Sequence, residues 1–275
     1  MADNVSLIDL EQVVKAKAGK KAKYFPKFLI GWLKKFVHQD FLNEFLKHGY
    51  VGVEFCEKTI DYLGVTLKIE GLENLPEMED GDDAKRYTFV SNHPLGAIDG
   101  VTLCGVLGRK YNGQVTCLMN DFLMYLEGLR PFAVPINKTG GQSRDLPRKV
   151  NEAFGSRKQM LMFPAGKCSR KIDGKIQDVE WTKTFITKSI ATQRDIVPIH
   201  FIGENSKRFY RIARICKFLR LKFNVAMMFL PDEMYRSRGN SYRVIIGKPI
   251  PYETFDKSRT HAEWAQWVRE KVYEL

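Results

Sequence analysis

The chain has 275 residues, with 44 Lys and Arg against 32 Asp and Glu for a formal net charge of +12. It is long enough to bury one sizeable core and basic enough to expect an anionic partner: a membrane surface, a phosphorylated substrate, an acidic carrier protein or nucleic acid. The 5 cysteines are scattered and form no Cys-x-x-Cys pair, and neither a signal-peptide core nor an apolar run of membrane-spanning length is present; this excludes a disulfide scaffold, a zinc ribbon and an expected bilayer span, and favours a reduced compartment.

In chain order, residues 1–23 end in the basic run KAKAGKKAK and are expected to be mobile. From Phe25 the pattern turns helical, with Phe28, Leu29, Trp32, Leu33, Phe36 and Val37 at helical spacing beside Lys27, Lys34 and Lys35. Such a helix either lies in the headgroup layer of an anionic membrane or packs on its own domain with a solvated charged face. A second helix over 40–46 pairs with it through Leu42, Phe45 and Leu46. Residues 64–75 hold a first strand (Val65, Leu67, Ile69) and a turn at Gly71, and the acidic run 78–83 reads as a solvated loop. RYTFVS at 86–91 is a strand, 98–108 the start of an apolar helix, 115–119 and 133–137 further strands, and 143–156 a helix.

LMFPAGKCSR at 161–170 is an apolar strand running into a Gly-containing turn, 171–181 is polar, and a helix starts near Thr182. IVPIHFIG at 196–203 is a strand in which His200 reads as structural. Residues 206–222 form the most basic helix, with Phe209, Ile212, Cys216 and Leu219 along one side and Lys207, Arg211 and Arg214 opposite. Anionic lipid or an acidic carrier protein fits this helix; no helix-turn-helix, RNP or zinc-finger pattern accompanies it, so nucleic acid is not expected. A strand at 242–250 and a helix from about Thr260 close the chain. The alternation predicts an α/β fold, a largely parallel central sheet flanked by helices, with an N-terminal amphipathic helical segment.

The stretch SNHPLGAIDG, 91–100, carries the chemistry. His93 sits where a strand ends and Asp99 where a helix begins, and in open α/β sheets sites are built at that edge. Pro94 biases the preceding residues away from helix and Gly96 can take a positive φ, so the chain can fold back and bring the carboxylate to the imidazole. A carboxylate on one ring nitrogen leaves the other basic, as a general base for a hydroxyl requires. The alternative is structural: Asp99 as a helix N-cap and His93 as a satisfied polar residue at the rim of a core.

Together with LMFPAGKCSR, this stretch resembles the lysophospholipid acyltransferase family, which includes the 1-acylglycerol-3-phosphate O-acyltransferases. That family carries Asn-His-x4-Asp and FPEGTRS blocks; here five residues separate His93 from Asp99, and Ala165 stands in place of the Glu. The NHPLGAIDG and FPAG forms are similar to a bacterial subgroup described as haemolysins and O-acyltransferases of ornithine or glycine lipids. The resemblance implies that His93 is the base and Asp99 its orienting partner. Substrate contacts would come from Asn92 and Gly96 in the first block and from Gly166, Lys167, Ser169 and Arg170 in the 164–170 turn. Lys138 approximates the basic position of a further block, and WTKTF adds Trp181 and Lys183, with Trp181 also readable as a packing anchor at a helix start.

By the same resemblance, the expected layout is a mobile segment 1–23, an amphipathic membrane-associating segment 24–62 and an acyltransferase domain 63–275. The expected reaction moves an acyl group from an acyl carrier protein or coenzyme A thioester to a lipid hydroxyl, on a lysophospholipid or an N-acyl amino acid lipid. The expected place is the cytoplasmic face of the inner membrane, without a spanning segment. No cluster has metal-ligand spacing, so neither a metal nor a bound cofactor is expected. The rival reading is a non-catalytic, haemolysin-like membrane-binding protein that uses the basic amphipathic segments alone.

Overall fold

Branched and aromatic runs become strands, and the intervals with helical periodicity become the helices that cover them. The computed structural model describes residues 7–18, 26–79, 81, 84–136, 145–218 and 229–275. The chain opens with α1 (Leu10–Ala18), α2 (Lys27–Phe36), α3 (Gln39–Leu46) and α4 (Val53–Tyr62), then β1 (Thr66–Glu70), β2 (Tyr87–Ser91), α5 (Ile98–Lys110), β3 (Val115–Asn120) and β4 (Ala133–Ile136). It continues with α6 (Leu146–Gly155), β5 (Gln159–Met162), β6 (Arg170–Ile172), β7 (Lys175–Gln177), α7 (Thr184–Ala191) and β8 (Asp195–Ile202). Last come α8 (Lys207–Phe218), α9 (Leu230–Arg236), β9 (Ser241–Ile246) and α10 (His261–Glu274).

Seven strands form one sheet in the order β1-β9-β8-β2-β5-β3-β4. Its pairings are parallel except that of β8 with β9, so the α/β fold with a largely parallel sheet is as the alternation predicts. Strands buried on both faces split their side chains between two cores. On β2, Tyr87 and Phe89 point to the layer of α3, α4 and α5, and Val90 to the layer of α6, α7 and α10. Leu161 against Met160 and Met162 repeats the division on β5. A Cβ on Gly105 of α5 would come within 3.0 Å of the Cys56 Cβ, so the missing side chain lets α4 lie close on α5. All five cysteines are free.

Three features differ from the sequence reading. Within the stretch expected to be mobile, α1 is helical, and Ile8 and Asn43 exchange two hydrogen bonds of 2.9 Å that tie it to α3. The polar segment after 170 holds a β6–β7 hairpin, whose turn residues Asp173 and Gly174 both have positive φ, 49° and 81°. This is the Asp-Gly hairpin signal, set here between two Lys-Ile pairs. The third is α9, which no periodicity announced. The basic helix is present from Lys207 to Phe218 and buries Phe209, Tyr210 and Ala213, while Ile212 and Cys216 are half-buried and Leu219 lies outside the described residues.

One buried charge ties the two halves of the sheet to a helix end. Arg194 is 1% exposed and donates to the carbonyls of Phe154, Ser156, Lys158 and Tyr87 over 2.7 to 3.3 Å. A cation at the carbonyl end of α6 is well placed against the helix dipole. Burial pulls the guanidinium down to about 10, which leaves it charged at neutral pH. Replacing Arg194 with Met strands four carbonyls, and urea unfolding should show a loss of about 3 kcal/mol.

Candidate active site

The two sequence motifs meet because their strands are neighbours. β2 and β5 pair in parallel with Val90 opposite Met162, so the chain leaves both strands at one carboxyl edge, His93 from the first and Phe163 from the second. The two rings lie 4.2 Å apart at 31°. A main-chain hydrogen bond from the Ser169 amide to the His93 carbonyl, 2.7 Å, joins the turns directly.

Asp99 is not the N-cap of α5. Ala97 takes that position without a side-chain bond, and the carboxylate, inside the first turn, reaches back over the preceding loop. Its Oδ2 accepts from the amides of Leu95 (2.9 Å) and Gly96 (3.1 Å), and Oδ1 from that of Gly100 (2.9 Å). The same Oδ2 lies 3.1 Å from His93 Nδ1, with Asp99 fully buried and the imidazole 17% exposed. The approach is off the line of a ring N–H, so Nδ1 has no linear hydrogen bond. Burial pushes the Asp99 carboxyl up, but the close His93 imidazole and the amides of Leu95 and Gly96 outweigh it and hold the group below the usual carboxylate range. Asp99 is therefore ionised at neutral pH.

Of the other residues singled out from sequence, the structure gathers some around this pair and commits others elsewhere. Asn92 is buried, its Nδ2 donating to the Phe201 carbonyl (2.9 Å) and its Oδ1 accepting from the Phe201 amide (2.7 Å). It clamps β2 to β8. Gly96 has φ +79°, and a Cβ there would stand 2.3 Å from Cys168 Sγ, so the two turns pack where only glycine fits. Gly166, also at positive φ, closes the second turn with its amide on the Phe163 carbonyl (2.9 Å). Ser169 is buried and donates its hydroxyl to Asp178 (2.6 Å). Arg170 folds onto its own turn, donating to the carbonyls of Cys168 (2.7 Å) and Ser169 (3.1 Å) with its guanidinium over the Phe209 ring. Trp181 is buried with its indole N–H on Asp178 (2.9 Å), and Lys167 and Lys183 are exposed. Lys138 lies outside the described residues.

Asp178 and Phe163 are the residues that sequence reading missed. Only the polar DVEW stretch hinted at the first, and nothing in the spacing placed it beneath His93. Among the described residues, Ser91, Cys104 and Cys168 are poor nucleophiles. Ser91 Oγ is buried and donates to the Asn92 carbonyl, the Cys117 thiol and burial push Cys104 well above its ordinary value, and burial pushes Cys168 up to about 11.

The sequence profile of a family described as Acyltransferase matches residues 12–275. The chain belongs to this acyltransferase family. Two relatives, each named lyso-glycine lipid O-acyltransferase, are similar over nearly the whole chain. The one from Phocaeicola vulgatus is 54% identical, covering 99% of this chain and 96% of the relative. That from Bacteroides thetaiotaomicron is 52% identical, covering 99% of both. The fold is like that of the 1-acyl-sn-glycerophosphate acyltransferase PlsC from Thermotoga maritima, with a TM-score of 0.50 at 15% identity over 96% of this chain and 94% of that one. The protein is an acyltransferase, and the enzyme reading holds over the non-catalytic one.

Substituting Gly96 with Ala in this acyltransferase must part the two turns, because the new methyl meets Cys168 and Leu230 at a backbone angle that L residues resist. An acyl-transfer assay should show activity falling at least about tenfold while far-ultraviolet circular dichroism stays native.

Proposed function

We propose that this acyltransferase moves a fatty acyl group from a thioester, of acyl carrier protein or coenzyme A, to the free hydroxyl of a lysolipid. A lyso-glycine lipid is the acceptor that its relatives' names point to. The observation that carries the mechanism is the ionised, buried Asp99 facing Nδ1, which leaves Nε2 as the base. Nε2 takes the hydroxyl proton as the oxygen attacks the thioester carbonyl. The tetrahedral oxyanion forms, the C–S bond breaks, and the departing thiolate takes the proton back from the imidazolium. Asp99 stabilises that imidazolium while it lasts. Backbone N–H groups of the two turns supply the oxyanion's donors.

The proposed place of work is the cytoplasmic side of the inner membrane, and the lipid acceptor and the exposed face of α2 support the membrane contact. Phe28 is 78% and Trp32 54% exposed, with Lys27, Lys34 and Lys35 on the same helix. Each lysine near anionic lipid contributes about 1 kcal/mol. Among the described residues no helix is long and apolar enough to cross a membrane, so this contact is peripheral.

His93→Ala should abolish acyl transfer from a thioester to lyso-glycine lipid while the melting temperature stays within a few degrees; a folded, active variant rejects His93 as the base. Replacing Phe28 and Trp32 together with Ser should cut binding to anionic vesicles at least about fivefold in a sedimentation assay, and undiminished binding would remove α2 from the membrane contact.

A further inference from the structure

We propose that Asp178 is a positioning residue for acyl transfer, whose buried carboxylate fixes the His93 backbone against the 164–170 turn and sets a second negative charge beside the imidazole. The inference rests on His93 as the base, proposed above. One carboxylate joins three segments. Its Oδ1 accepts from the His93 amide (3.2 Å) and the Ser169 hydroxyl (2.6 Å), and its Oδ2 from the Trp181 indole (2.9 Å). The Ser169 amide completes the frame by donating to the His93 carbonyl, 2.7 Å. Both main-chain groups of His93 are thus held by this assembly and not by the sheet.

Asp178 is itself set from behind by α10. Its amide donates to the Tyr273 hydroxyl (2.8 Å) and its carbonyl accepts from Arg269 (2.7 Å). Of the neighbouring cations, Arg269 donates to this carbonyl and to the Gln177 side chain (3.0 Å), and Arg170 to the carbonyls of Cys168 and Ser169. Charged and titratable groups around the imidazole are therefore Asp99 from α5, Asp178 from the segment after β7, Arg170 and Cys168 from the turn, and Tyr273 and Arg269 from α10. Burial raises the Asp178 carboxyl above its ordinary value in spite of Ser169, Trp181 and His93, yet both its oxygens only accept hydrogen bonds, the pattern of a carboxylate. A side chain needed only to link a hydroxyl and an indole would serve as well neutral, and burying its charge costs stability. That charge instead favours a proton on His93, the state the transition state requires.

The sign follows. Removing a negative charge near the imidazole makes it a weaker base, so the acid limb of the pH–rate profile moves to lower pH while kcat on the plateau falls. In the full-length protein, with the thioester and lyso-glycine lipid both varied, Asp178→Asn should lower kcat about tenfold, leave both KM values within about twofold, and move the acid limb down by about half a pH unit. Tyr273→Phe loosens the same segment but keeps the charge, and its acid limb should stay in place. The inference is overturned if Asp178→Asn leaves both kcat and the limb unchanged, or if both variants lose kcat alike with neither limb moving. Should Asp178→Asn not fold, Ser169→Ala carries the test: it removes the shorter anchor on Oδ1, and an unchanged kcat overturns the proposal where a fall of about threefold supports it. Activity surviving in His93→Ala would sink the base assignment instead, a result that these variants do not imitate.

Discussion

The site depends on the contact between a fully buried carboxylate and an imidazole across a five-residue bend. An ionised Asp99 in the interior is tolerable only because main-chain amides solvate it, and those of Leu95 and Gly96 belong to the bend that carries the chain from His93 to α5. The same bonds that stabilise the charge therefore fix the loop geometry that brings it to Nδ1. The positive φ at Gly96 turns the chain inward onto Cys168.

The sheet supplies the rest of the geometry. Neighbouring parallel strands β2 and β5 release their loops on one side, so a histidine and a basic, glycine-containing turn that lie about 70 residues apart in sequence share one edge. The two cores above and below the sheet are filled from alternate residues of the same strands, and this rigid base holds the turns. The N-terminal helices are linked to this body as well. His38 contacts Asp232 of α9 at 2.9 Å, and Arg208 of α8 lies over the Phe36 and Phe229 rings. The exposed aromatic face of α2 is thereby held in register with α8 and α9, and Leu230 of α9 abuts Gly96 in the bend between His93 and Asp99.

Much of this was legible in the chain, and the reasons are physical. Strands buried on both faces are continuous branched and aromatic runs, as in YTFVS and DIVPIHFI, and they announce themselves without a partner. The His93 bend was readable because Pro, Gly and Asp at short spacing have few ways to fold. The β6–β7 hairpin was also written, as Asp-Gly between matching pairs, but three-residue strands give too little periodicity to separate from loop. Asp178 was not legible at all. It sits 85 positions from His93 in sequence and one hydrogen bond away in space. Sequence could equally not tell that Asn92 faces β8, or that Arg170 is turned back on its own loop, since both are decided by strand order and by the packing of α8.

In the proposed mechanism a negative charge at Asp99, more than its shape, makes His93 a competent base. Asp99→Asn tests it most directly, since the amide oxygen still accepts from the Leu95 and Gly96 amides while the charge and the acceptor for the Gly100 amide are lost. The account predicts a folded protein whose kcat for acyl transfer is lower by at least about a hundredfold, with little change in KM. A variant that folds and turns over within a few-fold of the parent would contradict it.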